Sequence, residues 1–61
     1  MNIKRYRIWI KRYSLITDSY FIEERIVYTS DIYHEIGYIY MNIPSTDKVE
    51  YIRYRLANDR G

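Results

Sequence analysis

Residues 5–13 read RYRIWIKRY: four cations and three aromatic rings in nine positions, with isoleucines threaded between them. Guanidinium and ammonium groups bind carboxylates and phosphates, and Trp and Tyr offer flat apolar area on which a base or an apolar side chain can stack. This is recognition chemistry. Catalytic chemistry is far harder to assemble from the chain. His34 is the only histidine, and on a helical wheel it lies opposite the neighbouring isoleucines, where a ring is solvated. Glu23 and Glu24 are adjacent, so on a strand they project to opposite faces and cannot form a paired-carboxylate site. The sequence contains no glycine-rich phosphate loop, no cluster at metal-ligand spacing and no cysteine. The reading is a non-enzyme without cofactor or metal.

The chain has 61 residues, which makes one domain, 1–61, near the lower limit for an unaided hydrophobic core. With no disulfide to hold it, it must be stabilised by packing, by a partner or by a second copy of itself. Hydrophobic residues are 48% of the sequence, including eleven Ile and nine Tyr. These types prefer strands, and tyrosine also favours binding surfaces. Seven Arg and three Lys against eight acids leave a net charge of +2, too little for long-range steering to a polyanion, so basic character must come from local clustering. No apolar run approaches the roughly 18 residues of a membrane span. The first residues lack the apolar stretch of a secretory signal, and on a helical wheel the apolar residues of 3–16 scatter to several sides. No membrane association and a cytoplasmic location are expected.

Four elements must position these groups. In the first segment, alternation puts Tyr6, Ile8 and Ile10 on one face and Arg5, Arg7, Trp9, Lys11 and Tyr13 on the other. The second, YFIEERIVYT, puts Tyr20, Ile22, Ile26 and Tyr28 on one face, with Glu24 as the exception. A three-residue loop at Thr17–Ser19 would set Arg12 opposite Glu24, Ile10 opposite Ile26 and Ile8 opposite Tyr28, making the apolar faces coincide. In the third segment, Ile32, Ile36, Ile39 and Ile43 follow at i, i+4, i+7 and i+11, within about 80° of arc at ~100° per residue. That spacing predicts a helix capped by Ser30 or Asp31 and stopped by Pro44. Gly37 and the density of Tyr and Ile oppose it, so a strand over 38–43 within a four-stranded, mostly-β meander is the alternative. The last segment, VEYIRYRL, alternates again, with Ile52, Tyr54 and Leu56 against Tyr51, Arg53 and Arg55. Residues 57–61 (ANDRG) are expected to be a frayed tail.

A ββαβ order implies a small α+β domain with a three-stranded antiparallel sheet, its first strand central, and one helix on one face. The opposite face then lacks a cover. It is expected to gather Arg5, Arg7, Trp9, Lys11 and Tyr13 from the centre, Tyr51, Arg53 and Arg55 from one edge, and Phe21, Glu23, Arg25 and Val27 from the other. An open face rich in Arg, Trp and Tyr reads as a binding surface.

With that order in place, the chain resembles the very small proteins that tailed phages express to disarm host machinery, and more narrowly the T-even-phage antitoxins that block a host mRNA endoribonuclease. The shared features are a long first strand, a hairpin, a helix start at TSD (29–31), a final strand and a DRG tail (59–61). The helix departs from that layout in Gly37 and in its tyrosine content, and no functional residue is carried over. The resemblance implies inhibition by binding, and this chain lacks the acidity of DNA mimics. The resulting expectation is an inhibitor of a host protein acting by occlusion through Arg5, Arg7, Trp9, Lys11, Tyr13, Tyr51, Arg53 and Arg55. The alternative is nucleic-acid binding by the same face, since stacking rings in a basic surround hold single strands at roughly 1–3 kcal/mol per base. Self-association as a homo-oligomer is a third reading.

Overall fold

The structure, a computed structural model, describes residues 2–57. Strand β1 (Lys4–Ser14) is followed by β2 (Ser19–Thr29), helix α1 (Ile32–Met41) and β3 (Asp47–Leu56). The sheet is three-stranded in the order β2-β1-β3, both pairings antiparallel. The expected α+β architecture with the first strand central is therefore present, and the four-stranded meander is not.

Parity explains the core. Ile8 and Ile10 of β1 are fully buried, and Ile32 and Ile39 of α1 close over them, with Tyr6, Val27, Ile36, Ile43 and Ile52 packed around. Each fully buried aliphatic side chain contributes about 1.5–3 kcal/mol relative to exposure. A core this small leaves little margin.

The helix begins as its isoleucine spacing predicts. Asp31 is extended (φ −141°, ψ 92°), and its Oδ1 accepts from the His34 N–H at 3.2 Å, satisfying one of the first-turn donors. It ends at Met41, two residues short of Ile43. The Asn42 N–H donates to the carbonyls of Tyr38 and Ile39, and its Nδ2 donates to Tyr38 O at 2.7 Å, so the last turn is closed before Pro44 is reached. Residues 38–41 are thus helix rather than strand. A Cβ built on Gly37 meets nothing within 4 Å. Gly37→Ala should therefore add the usual Gly-to-Ala helix difference of about 0.5–1 kcal/mol, read as a higher urea midpoint at unchanged slope.

The hairpin departs from expectation. β1 and β2 are joined by the four residues 15–18, not by Thr17–Ser19, and the register sets Ile8 opposite Arg25, Ile10 opposite Glu23 and Arg12 opposite Phe21. The turn is built on Ser14. Its carbonyl accepts from the Asp18 N–H at 2.8 Å, its Oγ accepts from the Thr17 N–H at 3.2 Å, and Asp18 takes a positive φ of 55°. Aspartate tolerates that region better than most residues. Leu15 and Ile16, which look like ladder residues by pattern, are spent in the turn. The consequence is a reversal of β2. Val27 points into the core, while Tyr20, Ile22, Ile26 and Tyr28 are exposed.

A bulge shapes the other ladder. Lys11 pairs with Tyr51 but Arg12 with Val49, so Glu50 has no partner across the ladder. The extra residue lets Asp47 stand beside Arg12 on the helix side and Lys48 face Tyr13 on the other. Ala57 is still tied to the sheet, its N–H donated to Arg5 O at 2.8 Å. Residues 58–61 of the expected tail lie outside the described residues.

Candidate binding face

The helix covers one side of the sheet, and across the other side the ladder sets residues in rows. Arg7 lies directly opposite Arg55 on β3 and Ile26 on β2. Trp9 lies between Arg53 and Glu24, Lys11 between Tyr51 and Ile22, and Tyr13 between Lys48 and Tyr20. Arg5, at the end of the strand, stands opposite Tyr28. All eight residues that the sequence nominates therefore share this face: Arg5, Arg7, Trp9, Lys11, Tyr13, Tyr51, Arg53 and Arg55. Phe21, Glu23, Arg25 and Val27 do not join them. The register turns all four to the helix side, because the turn consumes one residue more than the apolar pattern suggests.

Sequence reasoning misses six members of the face, Glu24 among them. Alternation assigns Tyr20, Ile22, Ile26 and Tyr28 to the core, although the same pattern is equally compatible with either side. Lys48 arrives through the bulge, for which the sequence VEYI carries no signal.

Contacts within the face pre-order its cations. The Arg53 guanidinium sits 4.5 Å from the Tyr51 ring centroid, and Lys11 Nζ sits 4.9 Å from that of Tyr20. Tyr20 meets Tyr13 edge-on at 4.9 Å. Such contacts hold long side chains against rings and lower the entropy lost when a ligand arrives. A shallow depression at the β3 edge is lined by Trp9, Tyr51, Arg53, Tyr54 and Arg55. Glu24, whose Oε2 is 3.2 Å from Arg7 Nε, is among the described residues the one acid with a ladder position on this face, against six cations. Arg7 and Arg55 face one another directly, an arrangement that costs stability in a sheet unless an anion intervenes.

On the helix side Arg12 and Arg25 are paired with acids. Arg12, only 19% exposed at its side chain, lies 3.3 Å from Asp47 and 3.7 Å from Glu23. Arg25 Nε donates to Glu23 Oε2. That hydrogen bond, aided by the charges of Arg25 and Arg12 and opposed by partial desolvation, holds the Glu23 carboxyl below the usual glutamate range. A carboxyl depressed in the fold stabilises it fully above its unfolded pKa, and that contribution is lost as pH falls through the folded value. Stability should therefore decline on acidification below about pH 4.5. In Arg25→Gln the Glu23 titration, followed by NMR, should move up toward the ordinary range; an unmoved titration would refute this origin.

Beside the helix, Tyr54 stacks edge-on against Tyr6 and Tyr33, and its hydroxyl donates to that of Tyr33 at 3.2 Å. The bond and partial desolvation raise the Tyr54 phenol above its usual value. This contact fastens α1 to β3. His34 is exposed on the helix, and no group of three or more His, Asp or Glu among the described residues could hold a metal ion. No helix of the described residues is long and apolar enough to cross a membrane.

No known family, curated protein or solved structure matches the chain. Its function is read from the open face itself.

Proposed function

We propose that this chain is a non-enzymatic binding protein that inhibits or redirects a host protein by laying its basic-aromatic sheet face over an acidic surface of the target. The observation that supports this most is the juxtaposition of Arg7 with Arg55, and of Trp9 with Arg53, on a face that no other element of the described residues covers. Two facing arginines are relieved by carboxylates inserted between them, and a neighbouring Trp supplies the apolar anchor that hot spots combine with such cations. Partner binding also returns stability to a very small domain, since anything that binds only the native state stabilises it by mass action. The layout resembling small phage-encoded inhibitors supports the same reading. In that setting the protein works in the host cytoplasm.

Nucleic acid is the alternative ligand for the same cations and rings. Fluorescence polarisation with single- and double-stranded oligonucleotides separates the two. Protein targeting predicts no binding tighter than millimolar at low salt, together with capture of a host protein from nuclease-treated lysate. Micromolar affinity that falls steeply with salt, and capture that is lost on nuclease treatment, would transfer the face to nucleic acid.

A further inference from the structure

β2 turns its larger apolar face outward and stands at the edge of the sheet. Tyr20, Ile22, Ile26 and Tyr28 are 58%, 58%, 41% and 66% exposed. The orientation of the strand's backbone groups follows from two hydrogen bonds at the ends of the β1–β3 ladder. Ala57 N–H donates to Arg5 O, and Leu15 N–H to Thr46 O, both at 2.8 Å. In an antiparallel ladder a residue's N–H and C=O point to the same neighbour. Odd-numbered residues of β1 thus bond to β3 and even-numbered ones to β2. Even β1 residues pair with odd β2 residues, which leaves the N–H and C=O groups of Tyr20, Ile22, Glu24, Ile26 and Tyr28 directed outward along a free edge. An eleven-residue edge of this kind, without proline or an outward lysine, is a template for strand addition.

We propose that two copies of this chain associate through the free edges of β2, antiparallel about Glu24, into one continuous six-stranded sheet. The strand's sequence is complementary to itself in that register. Ile22 meets Ile26 of the second copy, Tyr20 meets Tyr28, and on the helix side Phe21 meets Val27. Glu23 faces Arg25 of the second copy, twice by symmetry. The two Glu24 side chains meet at the axis, each already accompanied by the Arg7 guanidinium of its own chain at 3.2 Å. Sliding the pairing by two residues is penalised, because Glu23 would then face Glu23, or Arg25 face Arg25. An odd slide would turn the open face of one copy against the helix side of the other. The register is therefore specified by charge as well as by apolar contact. The dimer carries two basic halves flanking a central Ile/Tyr band, and it stands independently of what those halves bind.

Sedimentation equilibrium of the full chain tests this. The expected mass at high micromolar concentration is twice that of the chain, falling on dilution. Glu23→Arg alone and Arg25→Glu alone each set like charges opposite one another and should sediment as monomers, with circular dichroism unchanged. Mixing these two variants restores an attractive pair at both positions, so the mixture should regain the dimer mass. A monomer mass for the unmodified chain throughout, a dimer that neither reversal disturbs, or a mixture that stays monomeric would overturn the proposal. If either variant loses its folded spectrum, Glu24→Cys provides the second reading. The axis brings the two introduced thiols together in a chain that has no other cysteine. Oxidation should give a covalent dimer from Glu24→Cys and none from Ile22→Cys, and equal cross-linking of both would overturn the register.

Discussion

Ile8→Ala is expected to cost about 2–5 kcal/mol, a large share of the stability of so small a domain. Ile8 is fully buried on the central strand, under the helix. Ile8 packs among Ile10, Ile32 and Ile39, so truncating it opens a cavity in the middle of the core, and such large-to-small changes lose both the transfer energy and the cavity energy. A domain of 61 residues has a total stability of roughly 3–9 kcal/mol at about 0.05–0.15 kcal/mol per residue, so one such cavity removes much of it. Ile16→Ala is the informative contrast. The apolar pattern makes Ile16 a ladder residue, but it lies in the turn and is 76% exposed, so its truncation should change stability by no more than about 0.5 kcal/mol. Urea denaturation of both variants checks the pair. Comparable losses would contradict the hairpin register described above.

The second large effect concerns binding. Arg53→Glu/Arg55→Glu reverses two exposed cations on β3, one opposite Trp9 and one opposite Arg7. It should weaken partner affinity by at least about 100-fold, because hot-spot arginines are worth about 2 kcal/mol or more and each ~1.4 kcal/mol is tenfold. The reversal also sets one new carboxylate across the ladder from Arg7 and the other beside Trp9. Opposite charges facing across a ladder favour the fold, so the double variant should retain its circular dichroism and its urea midpoint. Adding Trp9→Ala should deepen the loss. Because Trp9 is half-buried, the charge reversal without it separates binding from folding.

Local features of the chain were legible where one physical rule dominates. Alternation in RYRIWIKRY assigned both faces of the central strand correctly, because that strand is flanked on both sides and its register cannot slip without moving charges into the core. Four isoleucines at helical spacing outweighed Gly37 and the strand preference of Tyr and Ile, since burying one stripe against Ile8 and Ile10 is worth more than a single glycine penalty. The expected α+β order with a central first strand followed from these. The edge strand was not legible. β2 carries its larger apolar set, Tyr20, Ile22, Ile26 and Tyr28, on the open side, because its orientation is decided by a turn that closes on Ser14 and Asp18 and not by apolarity. A difference of one loop residue reversed the placement of Phe21, Glu23, Arg25 and Val27. The β3 half of the candidate face survived because Tyr51, Arg53 and Arg55 lie beyond the bulge at Glu50. Lys48 lies before it and could not be placed by parity.

The proposed grip of the open basic-aromatic face on a host protein can be read in a single experiment. It is tested most directly by quantitative affinity capture from nuclease-treated bacterial lysate with three immobilised proteins: the unmodified chain, Arg53→Glu/Arg55→Glu, and Tyr38→Ala/Met41→Ala on the exposed side of α1. A partner retained by the first and third should be depleted at least tenfold on the second. Undiminished capture by the arginine variant, or loss confined to the helix variant, would contradict it.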